Sequence, residues 1–487
     1  MKYKKNLLTC ALLAAMGSAS QVALADDFAD KNGTPPSDIR MTASIEVEGN
    51  SIALTQIAPE GGVFGNDVAL SQEGDFNEID VLVEGDDNLV DVMQLGTGNL
   101  MLGSIVGDSN DVAVEQDGEF NGALVDLSGD ANAVSISQDG AGGPFGFVFN
   151  EAIVVVEGSD NTVDIEQTGS NWAYIEGLNG LANSIEVTQS GDWHELRLDS
   201  ITGDNNDFEI EQDGFYNVTS IPLMEGSDNE VDVEQDGDYN NITLSEVLGD
   251  ENEFTLSQDG ADNTIASVVT DGIDNEVSIQ QVGDLNTAEF DYIGNENDFS
   301  ATQIGDGNSS YIGIIGNYNE ASIVQAGDFN EAHIANFNGW SNDIEIEQTG
   351  DDNVAIVQAS VVDTSLYADD NTVDVVQDGN MNDLLVNMSE ILDSTGNMVD
   401  ISQTGDLNTI DLLVEGVGNE IIIAQTGNDN WVTGLDGGAM LVGGSDIYMN
   451  ISQTGNGNTL TGSFISVGGS VSIEQVGDYN TATIVQQ

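Results

Sequence analysis

The 487-residue sequence has very few basic residues, with 6 Lys and Arg against 87 Asp and Glu and a formal net charge of −81. Nucleic acids and anionic membrane surfaces need Lys and Arg to neutralise phosphate, so both are excluded as partners. A compact globule with this charge would repel itself, whereas an elongated fold would spread the charge. Because 39% of the residues are apolar, the chain is not an ordinary disordered acidic tail. Cations are the expected counterparts.

Cysteine and long apolar runs are also scarce. The one cysteine, Cys10, lies in a short apolar run, residues 7–16, which follows three lysines among the first five residues. Ala23 and Ala25 then supply an A-x-A cleavage site before Asp26. We interpret residues 1–25 as a secretory signal peptide, because the apolar run is too short to span a bilayer. The exported chain would contain no thiol, so packing and backbone pairing must stabilise it.

The string Q-x-G recurs eighteen times along the rest of the chain. Thirteen of the seventeen intervals between its glutamines are 22 or 23 residues, and the other four are 26, 28, 29 and 29. The longer intervals predict loop insertions near residues 141–150, 360–367, 388–395 and 434–445. The repeated glutamines are Gln72, Gln94, Gln116, Gln138, Gln167, Gln189, Gln212, Gln235, Gln258, Gln281, Gln303, Gln325, Gln348, Gln377, Gln403, Gln425, Gln453 and Gln475.

Asparagine recurs at two fixed positions around this motif. It stands six residues before the glutamine in sixteen copies, and a fainter copy from Asn50 to Gln56 suggests that the array begins near Met41. It also stands three residues after the motif glycine in fifteen copies, with Gly143, Trp172 and His194 as the exceptions. These fifteen are Asn77, Asn99, Asn121, Asn217, Asn240, Asn263, Asn286, Asn308, Asn330, Asn353, Asn382, Asn408, Asn430, Asn458 and Asn480.

Between the glycines the pattern has a period of two. In residues 229–235, for example, Asn229, Val231, Val233 and Gln235 share one face and three acids share the other. The design repeats after 11 residues, so each unit reads as strand, turn, strand, turn, with Gly, Asp and Asn in the turns. One unit cannot bury its apolar face alone, but stacked units can.

The repeat therefore predicts an all-β fold, a β-solenoid of about 19–20 layers with two parallel sheets facing across a thin core. At about 4.8 Å per layer the rod would be on the order of 90 Å long. Inward Asn and Gln would be costly without partners, but in a stack in register each amide can bond the identical amide one layer away. We expect the glutamines and asparagines above to form such ladders. The solenoid would span residues 41–487, after a flexible segment at residues 26–40.

The repeats resemble the curlin repeat of bacterial curli fibre subunits, S-x5-Q-x-G-x2-N-x-A-x3-Q. Residues 475–486 carry its second half in full, from Gln475 through Gly477, Asn480 and Ala482 to Gln486. Elsewhere the serine is usually Asn and the second glutamine is usually apolar, and there are eighteen repeats rather than about five. The resemblance implies an amyloid fibre subunit of biofilm matrix and cell adhesion, exported to the surface of a Gram-negative bacterium through a secretion channel and assembled by a surface nucleator.

Two other readings stay open, a monomeric acidic adhesin and a calcium-binding surface rod. Turn runs such as residues 203–206 and 305–308 offer oxygen ligands that suit calcium, yet the calcium-binding β-roll repeats every nine residues and this chain every 11 and 22. We expect no cofactor beyond loosely bound calcium or other divalent cations. Neither histidine, His194 or His333, has a second ligand at metal spacing, and no cluster of acids stands out from the repeat, so the chain is predicted not to be an enzyme.

Aromatic residues stand before the turn asparagine in seven of the eighteen copies. They could stack between fibres or hold a ligand, but the favoured interpretation is a partly buried turn residue. At the other end, residues 481–487 form an alternating strand with no charge after Asp478, which predicts an uncapped edge suited to self-association. The aromatic residues are Phe76, Phe120, Trp193, Tyr216, Tyr239, Phe329 and Tyr479.

Overall fold

The computed structural model describes residues 22–23, 40–46, 49–57, 65–140, 150–178, 183–203, 205–226, 228–245, 247–249, 251, 253–267, 270–271, 276–293, 298–315, 318–359 and 366–486. The signal peptide predicted at residues 1–25 lies outside these residues apart from Val22–Ala23, a two-residue strand parallel to Ile52 and Ala53. Residues 26–39 and the inserts at 141–149 and 360–365 also lie outside them.

The chain divides into two compact units, residues 1–245 and 246–487. The strands of the first unit are Val22–Ala23, Arg40–Glu46, Ser51–Ile57, Asp67–Asp75, Glu78–Glu84, Leu89–Thr97, Leu100–Val106, Asp111–Glu119, Gly122–Ser128, Ala133–Gly140, Glu151–Glu157, Thr162–Leu178, Ser184–Leu196, Asp199–Thr202, Ile210–Phe215, Val218–Ser220, Pro222–Glu225, Val233–Asp238 and Asn241–Thr243.

The second unit is built in the same way. Its described residues contain one short 3₁₀ helix, Leu435–Gly437, and no helix in the described parts of either unit is long and apolar enough to cross a membrane. Its strands are Val247–Leu248, Ser257–Ala261, Thr264–Ser267, Thr270–Asp271, Glu276–Val282, Thr287–Ile293, Asp298–Ile304, Ser309–Ile315, Glu320–Ala326, Glu331–Asn338, Asp343–Thr349, Val354–Ala359, Ala368–Asp369, Thr372–Asp378, Asp383–Met388, Ser394–Thr395, Met398–Thr404, Thr409–Val417, Glu420–Thr426, Trp431–Thr433, Met440–Thr454, Thr459–Val476 and Thr481–Gln486.

Each unit is a β-solenoid in which every strand pairs in parallel with the strand one repeat away. Asp67–Asp75 pairs with Leu89–Thr97, while Glu78–Glu84 pairs with Leu100–Val106, so each repeat adds one strand to each of two rows. Identical motif residues meet in this register, as Gln72 does with Gln94. The all-β solenoid with a repeat of 22–23 residues is therefore confirmed.

Burial follows the period of two. Along Glu78–Glu84 the inward residues Ile79, Val81 and Val83 are fully buried, while Asp80 and Glu84 are exposed. Slipping the strand by one residue would bury its acids, so the pattern allows a single register. The two rows of strands thus enclose an apolar core, and in each layer buried Asn and Gln side chains lie at the ends of this core.

Insertions leave the register intact. Gln138 and Gln167 are 29 residues apart in the chain, yet they are direct partners in neighbouring strands. The loop predicted at residues 434–445 is wrong in its second half, because Met440 and Val442 are inward apolar residues that pair with Leu412 and Val414. Only residues 434–439 leave the solenoid there.

The earliest repeat also differs from its sequence interpretation. Asn50 lies beside Asn77, and Gln56 pairs with Val83 rather than with Gln72. The strand that pairs with the Gln72 segment is Arg40–Glu46. Residues 50–56 are therefore the second strand of a layer and not a first copy of the Gln motif.

Candidate functional site: buried amide ladders

The motif glutamines form one continuous hydrogen-bonded ladder in each unit. In the first unit each Nε2 donates to the Oε1 of the glutamine one layer on, from Gln72 to Gln235, at 2.8–2.9 Å. In the second unit the same bonds run from Gln258 to Gln475 at 2.7–3.0 Å. All eighteen side chains are buried. The ladders therefore satisfy amides that would otherwise be costly to bury.

The same glutamines also link the two strand rows. Gln94 Nε2 donates to the carbonyl of Glu78, and Gln303 Nε2 donates to that of Thr287, both at 3.1 Å. The two Nε2 hydrogens thus serve two purposes, since one bonds along the stack and the other bonds across it. Leucine could fill the space but could make neither bond.

The asparagines after the motif glycine form a second set of bonds, the first asparagine ladder. The backbone N–H of Asn99 donates to Asn77 Oδ1 at 3.0 Å, and Asn308 donates in the same way to Asn286. The Nδ2 groups cap turn carbonyls, as Asn308 does with Gly327 at 2.8 Å. The ladder therefore fixes the turn of each layer to its neighbour.

Two members of this ladder were missed by counting from the glycine. At the layers where the sequence places Gly143 and Trp172, the buried residues are Asn150 and Asn171. Asn150 Nδ2 donates to Asn121 Oδ1 at 3.1 Å, and the Asn171 N–H donates to Asn150 Oδ1 at 3.0 Å. Asn150 precedes the alternating strand Glu151–Glu157. Locating each asparagine by the strand that follows it, rather than by the preceding glycine, would have found both.

A second asparagine ladder is formed by described asparagines that stand six residues before a motif glutamine. Asn88 and Asn110 bond through Asn110 Nδ2 and Asn88 Oδ1 at 3.0 Å, and Asn419 bonds to Asn397 in the same way at 2.9 Å. This ladder ends where Ile447 replaces Asn, because Ile447 offers only its backbone N–H to Asn419 Oδ1. At that layer the glutamine ladder and the first asparagine ladder continue, through Gln425 to Gln453 and Asn458 to Asn430.

The motif glycines allow the turns to approach closely. At Gly305 φ is +118°, and a Cβ there would lie 2.2 Å from the carbonyl oxygen of Gly327 in the next layer. Gly74 shows the same geometry, with 2.0 Å to the oxygen of Gly96. Any side chain would therefore collide with backbone, which explains why the motif contains glycine.

His194 occupies a position in the first asparagine ladder. Its own N–H donates to Asn171 Oδ1 at 3.1 Å, and its Nδ1 accepts the N–H of Asn217 at 3.2 Å. Nε2 then carries the proton and donates to the carbonyl of Ser190 at 3.1 Å. Burial lowers the pKa of His194, although the Ser190 carbonyl and Asp213 partly oppose the shift. The neutral ring replaces the asparagine amide as an acceptor.

We expect the His194→Asn variant to remove an acid-sensitive point from the first unit. The folded state holds His194 neutral, whereas the unfolded chain binds a proton near pH 6.5, the ordinary pKa of histidine. Stability should therefore fall as the pH drops below about 6.5 in the unsubstituted chain, and less so in the variant. Urea unfolding at pH 8 and pH 5 measures the difference. If the unsubstituted chain and the variant differ in free energy of unfolding by the same amount at pH 8 and at pH 5, this account is contradicted.

Several carboxyl groups are partly withdrawn from water. Burial raises the pKa of Asp411, with Asp383 and Glu390 adding repulsion, and burial raises that of Asp374, with Asp400 and other nearby acids adding to it. Glu415 is 4% exposed and accepts the N–H of Ile391 at 2.8 Å, which anchors the insertion near residue 390. Burial raises the pKa of Glu415, and hydrogen bonds from the backbone of Ile391 and Leu392 offset this only in part.

The described residues contain no group of three or more His, Cys, Asp or Glu side chains that could hold a metal ion. His333 packs edge-on against Tyr311, with ring centroids 4.7 Å apart, and Tyr311 donates to Asp291. These three lie on an outward face of the second unit.

The turn aspartates accept backbone N–H groups of the previous layer, as Asp328 Oδ1 does from Asp306 at 3.0 Å. Those carboxylates thus help to fix the turns.

The turn aromatic residues differ in exposure. Phe120 and Trp193 are half-buried, but Phe76, Tyr216, Tyr239, Phe329 and Tyr479 are exposed. All seven have positive φ, which turns the side chain along the stack rather than into the core. The ring of Phe76, for example, covers Gly49 of the preceding layer. The interpretation as partly buried residues holds for six of the seven, since these are between about half-buried and 60% exposed, and it is wrong for Tyr479, which is 81% exposed.

Parallel layers with a fixed repeat, buried amide ladders and glycine turns define a structural β-solenoid repeat protein. Comparison with known families places it more narrowly. The curlin associated repeat matches residues 65–100, 107–140, 180–214, 226–260, 272–305, 294–327 and 316–350. The chain therefore belongs to the curlin-repeat family. No curated protein matches it.

Proposed function

We propose that this chain is a secreted structural protein, a curlin-like subunit of extracellular amyloid fibres that serve biofilm matrix and cell adhesion. The observation that carries the proposal is the unbroken glutamine ladder of each unit, in which every layer presents the same donor and acceptor to the next. Such a stack can be extended by any layer of the same design, including one from another copy. Membership of the curlin-repeat family supports the same conclusion.

The partners that follow are further copies of the chain, a secretion channel and a surface nucleator, the last two from the family resemblance alone. The second candidate function is a monomeric acidic rod acting as an adhesin or as a surface that collects calcium. The observation that favours it is the excess of 87 acidic over 6 basic residues, which opposes end-to-end association.

Electron microscopy with seeding separates the two. The full chain is unfolded, diluted into buffer and imaged, and a sample of the product is added to fresh protein. The proposal expects unbranched fibres that bind thioflavin and shorten the lag of the fresh protein. Discrete rods that never seed would reject the fibre function and favour the monomeric alternative.

We expect cations to accelerate this assembly strongly. The acids recur in register at about 4.8 Å from layer to layer, so stacking must overcome repulsion that salt screens. Millimolar calcium or about 0.5 M sodium chloride should shorten the lag several-fold. The cations would be loosely held counterions, so magnesium should act as calcium does. Assembly kinetics that stay unchanged in chelator and low salt would contradict the prediction.

A further inference from the structure

In the first unit a group of aromatic rings from successive layers lies in contact, and of these rings Tyr216 and Tyr239 are exposed while the others are half-buried. Trp172, Trp193, Tyr216 and Tyr239 follow one another with ring centroids 5.2, 5.8 and 5.4 Å apart. Phe215 stands nearly perpendicular to both tyrosines, 4.8 and 5.7 Å away. These five residues are called the aromatic stack. Tyr216 thus lies between the rings of Trp193 and Tyr239.

The stack is held at a cost in backbone strain. Trp193, Tyr216 and Tyr239 have φ of 71°, 59° and 60°, in the left-handed region that disfavours bulky residues. Other layers place glycine at this position, as at Gly98 and Gly307, where the conformation is unstrained. Turn residues of other layers, such as Leu285 and Met381, share this positive φ, so the strain alone does not mark a site. Trp193, Tyr216 and Tyr239 are distinguished by the contacts between their rings in consecutive layers, which point to a role at the surface because none of them fills the core.

Carboxylates border the stack. Asp192 and Asp238 are the strand partners of Phe215 on its two sides, and Asp213 pairs with Asp236 two residues earlier. Apart from Arg40, the one basic residue in the described part of this unit is Arg197, which donates to Asp199 at 2.6 Å. The stack therefore combines aromatic rings with negative charge.

We propose that the aromatic stack and its bordering carboxylates bind an arginine-containing segment of a basic polypeptide. The planar guanidinium group stacks on aromatic rings and pairs with carboxylates through two parallel N–H groups, and lysine does neither as well. A second copy of the chain is a poor source of this segment, since it holds only 6 Lys and Arg in total. The proposal goes beyond the fibre function and applies to a monomer and a fibre alike.

The test measures binding of a fluorescent peptide of six arginines alternating with glycine, and of the matched lysine peptide, to the full chain. The key variant is Trp193→Gly/Tyr216→Gly/Tyr239→Gly, because glycine relieves strain there and leaves the charge unchanged. Its matched control, Phe329→Gly/Tyr479→Gly, removes isolated rings. We expect the key variant to bind the arginine peptide at least 10-fold more weakly, and the control variant to change binding less than 2-fold.

The carboxylates are tested by the variant Asp192→Asn/Asp238→Asn, which should bind the arginine peptide about 10-fold more weakly. The control variant Asp400→Asn/Glu420→Gln removes two distant acids and should weaken binding by about 2-fold. Circular dichroism confirms that each variant keeps its strands. Equal binding of both peptides that is insensitive to loss of the rings would overturn the proposal, because it would mean that the diffuse negative field holds any polycation.

Discussion

Replacing Gly305 with alanine should cost the second unit about 3 kcal/mol of stability or more. The new Cβ would meet the carbonyl oxygen of Gly327 at 2.2 Å and the carboxylate of Asp328 at 3.0 Å. Positive φ costs a residue with a side chain about 1–2 kcal/mol, and overpacking adds about 1–3 kcal/mol. The turns could separate only by breaking hydrogen bonds between layers. Urea unfolding followed by circular dichroism measures the loss.

Gly396→Ala is the matched control. Gly396 also has positive φ, +62°, but nothing lies within 4 Å of the Cβ that alanine would add. The control should therefore lose only the conformational cost, about 1–2 kcal/mol. If both variants lose the same free energy of unfolding, close contact between turns is not the reason that the motif requires glycine.

The Gln303→Glu variant should lose about 3–5 kcal/mol at neutral pH, the usual cost of a buried charge that is not paired with an opposite charge. Gln303 is fully buried, donates to Gln325 Oε1 at 2.9 Å and accepts from Gln281 Nε2 at 2.8 Å. Glutamate would keep the acceptor and lose both donors, and its charge would face the Gln325 oxygen. Protonation would restore one donor, so the loss should shrink as the pH falls toward 4.

Thr302→Glu adds the same charge one residue earlier. Thr302 faces outward, and its strand partners are the uncharged residues Gln280 and Val324. We expect a change within about 0.5 kcal/mol, as is usual for surface sites. Similar losses in the two glutamate variants would show that net charge, rather than the buried ladder, limits stability.

Most of the fold could be predicted from the sequence because the repeat is so regular. A period of two inside a period of 22–23 fixes which residues face inward, and residues such as Val231 and Gln235 are buried accordingly. The role of Asn171 could not be predicted by fixed spacing, since a local shift of one residue moves the ladder position. Met440 was assigned to a loop because the interval length does not show where an insertion ends.

The surface was harder to predict than the core. Left-handed backbone at Tyr216 and Tyr239 turns their rings along the stack, and a pattern of inward and outward residues says nothing about that direction. The role of His194 in the first asparagine ladder was also hard to predict. His194 stands where asparagine recurs, but only the contacts with Asn217 and Ser190 show that its ring is a neutral acceptor.

The central claim is that each chain in a fibre folds by itself into a stack of solenoid layers. Cross-linking of Thr302→Cys/Val324→Cys, with Cys10→Ser to remove the other thiol, tests it in assembled fibres. These positions are partners in neighbouring layers, about 4.8 Å apart, which a disulfide can bridge. Ser322 lies two residues out of register with Thr302, so Thr302→Cys/Ser322→Cys is the control.

We predict that oxidised fibres of the first variant dissolve into single chains with an internal disulfide, and that the control stays largely reduced. Ladders of cross-linked multimers would contradict the account, because identical cysteines of different copies would then be neighbours, as in an amyloid whose chains lie flat and pair with their own copies.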